Sequence, residues 1–214
     1  ATTTAGVSLL VWGTDNSASV DGVRLANDTV LDTPPLHFGG SGFFSRPTVA
    51  SDGTDFLVVW EEDGDLRGRF LGATTAAPGA VFDVAVTNRT EHHPSAAWDG
   101  RDYVVTYETD DDVYGNVFST QVGRDGGLSP RVALAARDRT TEAMGTTSAL
   151  SQGSRWFAWS RFDSARDIGA MRVFAQLIID DVDAGVTVDA GVTMDAGVTM
   201  DAGVTMDAGV TMDA

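Results

Sequence analysis

Three acidic runs, Glu61-Glu62-Asp63-Gly64-Asp65, Asp110-Asp111-Asp112 and the stretch from Asp163 to Asp167, are the parts of this chain best equipped for chemistry. Paired carboxylates can hydrolyse a glycosidic bond, one protonating the leaving oxygen while the other activates water or attacks, and they can also gather calcium. Each run falls at the same place in a repeating unit, however, and Asp and Gly are the residues hairpin turns favour. The spacing therefore predicts turns, and no run follows the ligand spacing of a calcium loop. His92 and His93 stand beside Pro94, with His37 the one other histidine. Neighbouring side chains on a strand point to opposite faces, so the pair would not easily share a metal ion, and both read as loop residues. The chain has no cysteine, which removes disulfides, thiolate metal sites and cysteine nucleophiles together. Gly39-Gly40-Ser41-Gly42 does not lead into a helical pattern and reads as a loop, not a phosphate cradle. With no Ser-His-Asp arrangement in view, the expectation is a non-enzymatic chain without catalytic residues, resident metal or cofactor.

Aromatic side chains offer a second kind of chemistry, stacking against sugar rings. Trp12, Trp60, Tyr107 and Trp159 recur roughly every 48 residues at equivalent places, which marks them as core. Trp98 and Trp156 are less regular, and they are the candidates for exposed aromatics if a carbohydrate site exists.

Something periodic must position these residues, and the sequence repeats. The segment from Arg46 to Trp60 aligns with the segment from His93 to Tyr107, sharing a proline, an Asp-Gly pair and an apolar run that ends in an aromatic residue. A looser copy runs from Thr146 to Trp159, and Gly6 to Trp12 matches the second half of the pattern. Each copy continues through an acidic turn into a short strand holding a glycine, as in Val20-Asp21-Gly22-Val23 and Leu66-Arg67-Gly68-Arg69. The unit predicted is a strand, an Asp-Gly turn, an apolar strand, an acidic turn, a glycine-bearing strand and a weaker fourth strand such as residues 80–86. Helical periodicity is hardly visible, so the class is all-β. The pattern resembles the propeller-type repeats of bacterial secreted proteins over about residues 6–179. That resemblance implies antiparallel blades and a surface location, and it implies no particular activity. The units expected are about 1–45, 46–92, 93–143 and 144–179, holding three, four, four and three strands.

Residues 180–214 form a tail built on the hexapeptide Asp-Ala-Gly-Val-Thr-Met. Six is even, so in a strand one face is apolar throughout: Val186, Val188, Val192, Met194, Val198, Met200, Val204, Met206, Val210 and Met212. A body short of strands followed by a strand with one apolar face suggests donation of the tail, in cis to the fourth unit or in trans to a neighbour, the latter giving an extracellular homopolymer. A repetitive stalk carrying a surface module that binds glycans or protein is the alternative. Calcium-linked rungs would need more oxygens than one Asp per hexapeptide supplies. The net charge of -17, from 31 acidic and 14 basic residues, disfavours nucleic acid and anionic lipid surfaces. No stretch is apolar for long enough to insert in a membrane as a helix, and the Ser, Thr, Gly and Asp content suits a secreted or cell-surface protein.

Overall fold

The computed structural model of the chain describes residues 1–14, 19–40, 46–75, 77–110, 116–135, 143–151, 154–163, 170–179 and 190–192. The first sheet holds β1 (Val7–Thr14), β2 (Ser19–Ala26), β3 (Thr29–Val30) and β4 (Leu36–Gly39), with β2 pairing to all three others. The second holds β5 (Thr48–Ser51), β6 (Asp55–Glu62), β7 (Asp65–Gly72) and β8 (Phe82–Ala85) in chain order. The third holds β9 (Glu91–Trp98), β10 (Tyr103–Thr109), β11 (Asn116–Val122) and β12 (Val132–Ala135). The fourth holds β13 (Ala143–Ser151), β14 (Ser154–Asp163), β15 (Ala170–Ile179) and β16 (Ala190–Val192). Every pairing is antiparallel. The innermost strands β5, β9 and β13 lie side by side, as the inner strands of propeller blades do. No helix among the described residues is long and apolar enough to cross a membrane.

The apolar run of β6 is explained by burial on both faces. Phe56, Val58 and Trp60 pack toward the first sheet with Leu9, Val20 and Phe38, while Leu57 and Val59 pack toward the third with Tyr103, Val105 and Tyr107. Period two thus divides one strand between two cores. Beyond the third sheet, Val104, Val117 and Leu134 meet Phe157 and Trp159 of the fourth. Trp60, Tyr107 and Trp159 are buried between sheets as expected. Trp12 is half-buried, and its neighbour two residues back, Leu10, is 57% exposed. Among the described residues, the face of the first sheet turned away from the second has no comparable cover.

Turn chemistry follows the repeat. Asp52 Oδ1 accepts the backbone N–H groups of Thr54 and Asp55, and Asp99 Oδ1 accepts those of Arg101 and Asp102. Gly53 and Gly100 follow with φ of 93° and 99°, a region glycine enters without a Cβ penalty. In the β6–β7 hairpin Asp63 and Gly64 have φ of 54° and 88°, the two positive values of a type I′ turn. Asp63 and Gly64 of this acidic run make the turn its sequence predicts, while Glu61, Glu62 and Asp65 belong to the flanking strands.

Each of the first three sheets has one extra residue where its outer strand pairs with the glycine-bearing strand: Phe38, Val84 and Leu134. All three are buried. The bulge turns an apolar side chain from the edge strand into the core. In the second sheet a Cβ on Gly68 would lie 2.8 Å from both the Phe82 ring and Val84, so packing requires that glycine.

The terminal sheets differ from the expected strand counts. In the first, the outer strand is interrupted after β3, and Asp32 replaces it locally by accepting the Arg24 N–H at 2.7 Å. Asp32 also holds the Arg24 guanidinium at 2.6 and 3.0 Å, while Arg24 Nη1 donates to Gly72 O and Ala73 O of the second sheet. Residues 1–4 lie along the free edge of β1, with Ala1 and Leu9 exchanging backbone hydrogen bonds. In the fourth sheet the closing strand is β16, drawn from the hexapeptide segment and paired with β15 through Ala175↔Val192, Gln176↔Gly191 and Leu177↔Ala190. The side chains assigned to the tail's apolar face, Val186, Val188, Val192, Met194, Val198, Met200, Val204, Met206, Val210 and Met212, lie outside the described residues.

Candidate functional site

The antiparallel registers bring the β6–β7 turn, the start of β9 and the end of β10 to one end of the inner strands. Glu91 N–H donates to Gly64 O (2.8 Å) and Asp110 N–H to Thr90 O (3.0 Å), which fastens these segments together. The ladder between β9 and β10 slips between Thr106 and Glu108, leaving β9 with an extra residue at His93-Pro94. A residue preceding proline is ordinarily driven to extended backbone, yet His93 has a φ of 50°. Non-glycine residues in this region carry strain that persists only where the surroundings enforce it.

Glu61 and Glu108 hold His93 there. The His93 N–H donates to Glu61 Oε1 at 2.7 Å, and the buried His93 Nδ1 lies 3.3 Å from Glu108 Oε2 without hydrogen-bond alignment. His92 Nε2 is 2.9 Å from Asp110 Oδ2, and the two imidazoles are 6.0 Å apart between centroids. The bulge removes the simple alternation on which the expectation of opposed loop histidines rested. Both histidines stand on the innermost strand of the third sheet. Glu62 belongs to the structure instead, its Oε2 accepting Trp60 Nε1–H and Gly40 N–H at 2.8 and 2.9 Å. The imidazole beside Glu108 can exchange a proton with that carboxylate, and Glu61, held by the His93 main chain, is a second carboxylate at the same place. Among the described residues no three His, Asp or Glu side chains are grouped to hold a metal ion.

Beside this cluster Glu91 is fully buried. Its Oε1 accepts the Thr87 hydroxyl at 2.5 Å, and its Oε2 has no partner. Burial pushes the Glu91 carboxyl above the usual carboxylate range, against the opposing pull of the Thr87 hydrogen bond. A carboxyl raised in the folded state contributes its full stability below its unfolded pKa and loses it as pH rises through the folded value. Glu91→Gln is therefore expected to match the parent near pH 4. The variant gains progressively as pH rises, by on the order of 1 kcal/mol, or about 2–4 °C in Tm. Melting curves from pH 4 to 8 check this, and a gain independent of pH refutes it.

The aromatic candidates lie at the opposite end of the inner strands. Trp98 closes β9, half-buried, edge-on to Tyr103 at 4.8 Å and covered by the Arg124 guanidinium at 4.7 Å. Trp156 is half-buried on β14 opposite Ser148 and Leu177. Of the other acidic runs, residues 111–115 and 164–169 lie outside the described residues.

No protein-family model matches the chain, and no curated protein sequence does. Among solved structures it is similar to an endo-arabinase from Bacteroides thetaiotaomicron, with a TM-score of 0.54 and 12% identity over 89% of this chain and 77% of that one. It is also similar to an α-L-arabinofuranosidase from Podospora anserina in complex with cellotriose, with a TM-score of 0.50 and 13% identity over 86% of this chain. The match spans 63% of the arabinofuranosidase, less than two thirds of its length. At such identities the likeness establishes the fold, an all-β propeller. It also corrects the expectation of a non-enzymatic chain. That expectation treated the acidic runs as isolated turns, whereas this fold carries enzymes and here brings Glu61 and Glu108 to one histidine.

Proposed function

We propose that the protein is a carbohydrate-active propeller that cleaves glycosidic bonds at the Glu61–His93–Glu108 cluster. The observation that carries this reading is the bulge at His93, which brings the Glu61 carboxylate to the His93 backbone N–H and the Glu108 carboxylate to its imidazole at the end of the inner strands. Glycoside hydrolysis needs one group to protonate the leaving oxygen and another to assist water or attack the sugar, and this trio contains both kinds. Support from fold analogy comes from the endo-arabinase and from the arabinofuranosidase in complex with cellotriose. The test uses linear arabinan and chromogenic arabinofuranosides and xylosides. The parent protein should release sugar, and Glu61→Gln and Glu108→Gln should each lower turnover about a hundredfold or more with melting unchanged. A parent that neither hydrolyses this panel nor binds on a glycan array refutes the reading.

A second reading, extracellular assembly through the tail, is favoured by β16, a hexapeptide segment serving as a blade strand. Further copies follow it in sequence, and the first sheet leaves Leu10 and Val30 57% and 51% exposed as a surface for a neighbour's tail. Light scattering of the full chain against a chain lacking residues 195–214 separates the outcomes. Polymers lost on deletion support it, and identical monodisperse monomers refute it.

A further inference from the structure

A cleft of about 310 Å³ opens between the outer strands of the second and third sheets. This is near the lower bound for small-ligand pockets, enough for one sugar-sized molecule. Arg131, Asp83, Thr87, Thr120, Ser129 and Tyr107 supply its polar lining, and Leu128 part of its apolar lining.

The cleft lining carries one cation, Arg131, and one carboxylate, Asp83. With 31 acidic residues to 14 basic ones, a cation here would ordinarily be taken by a carboxylate. Among the described residues Arg131 makes no ion pair; its guanidinium lies over the Phe118 ring at 4.6 Å, and it lines the cleft together with Tyr107. Of the nearby carboxyl groups, Asp83, on the cleft wall, is paired with Arg67, and Glu91, behind Thr87, accepts the Thr87 hydroxyl. The hydroxyls are held in place. Thr120 Oγ1 donates to Ser129 O at 2.9 Å, Ser129 Oγ accepts the Gln121 N–H at 2.9 Å, and Thr87 Oγ1 accepts the Arg89 N–H at 3.1 Å. Each oxygen retains lone-pair capacity toward a ligand hydroxyl.

We propose that this cleft is a binding site for a small hydroxylated carboxylate, of the uronic acid or sugar-acid class, with Arg131 clamping the carboxylate and the threonine and serine hydroxyls reading the polyol. A planar guanidinium presents paired donors that fit a carboxylate, and the stacking on Phe118 fixes its plane. A neutral sugar of the same size lacks the group Arg131 would hold.

The cleft lining includes none of Glu61, His93 and Glu108, so the test is made on the full chain by calorimetric and NMR titration with D-galacturonate against D-galactose. Galacturonate should bind and galactose should bind at least about tenfold more weakly. Arg131→Gln should abolish that preference, Arg131→Lys should restore part of it, and Glu108→Gln should leave it intact. Unchanged melting of the Arg131 variants shows that the fold is kept. Equal binding of the two sugars, no binding of galacturonate, or a preference surviving in Arg131→Gln each overturns the proposal.

Discussion

Replacing Trp60 with alanine is expected to destabilise the protein by about 3–5 kcal/mol, a large share of what holds a domain of this size folded. Trp60 is fully buried between the first and second sheets. Its ring sits so close over Gly39 that a Cβ there would lie 2.6 Å from Cζ2. Truncation would leave a cavity between sheets and also free Glu62 Oε2, which now joins the Trp60 indole to the Gly40 backbone. Trp12 holds the same place in the repeat, but only half-buried, on the face of the first sheet turned away from the second. Trp12→Ala should therefore cost less than half as much. Urea titration of both variants is the measurement. Equal losses would mean that the first sheet is covered in solution, with the repeat position alone deciding burial.

That contrast marks how far the sequence carries. Local patterns carried the second and third sheets well: Leu57 and Val59 against Phe56, Val58 and Trp60 follow from period two, and Asp52-Gly53 and Asp99-Gly100 from the demands of a turn. Both depend on residues adjacent in the chain. The bulges did not show, because inserting one residue moves Phe38, Val84 and Leu134 to the opposite face without changing composition. The candidate site fell to the same cause. His92 and His93 were visible as a pair, but strict strand alternation separates them, and nothing in a histidine before a proline announces a φ of 50°. Glu61 looked like one more turn residue until β9 was placed beside it. The clue available beforehand was Pro94, which cannot donate a ladder hydrogen bond and so marks a break in the strand. The tail's strand character was legible from its even period, whereas its acceptor, the edge of β15, depended on the sheet order.

Removing Asp32 should be the most damaging change to a single charge. Asp32→Ala is expected to cost about 3–5 kcal/mol, because it leaves the Arg24 guanidinium buried without its partner. The side chains of Arg24 and Asp32 are 8% and 6% exposed, so solvent does little to weaken the pair. The loss extends beyond the ion pair. Asp32 also satisfies the Arg24 backbone N–H where the outer strand is interrupted, and it orients the guanidinium that reaches Gly72 O and Ala73 O of the next sheet. The Arg24 hydrogen bonds hold the Asp32 carboxyl below the usual carboxylate range. A carboxyl lowered in the folded state contributes stability that is present above its unfolded pKa and lost as pH falls through the folded value. The difference between the parent and Asp32→Asn should thus be constant from about pH 6 to 8 and shrink below about pH 4. Replacing both partners, as Arg24→Met with Asp32→Leu, removes the buried charges together and should recover much of the loss, although the Arg24 N–H stays unpaired. Denaturant titrations of the two single variants and the double variant at pH 7 and pH 3.5 make the comparison. A double variant as unstable as Asp32→Ala would show that the carboxylate matters chiefly as the substitute for a missing strand, and the ion pair hardly at all.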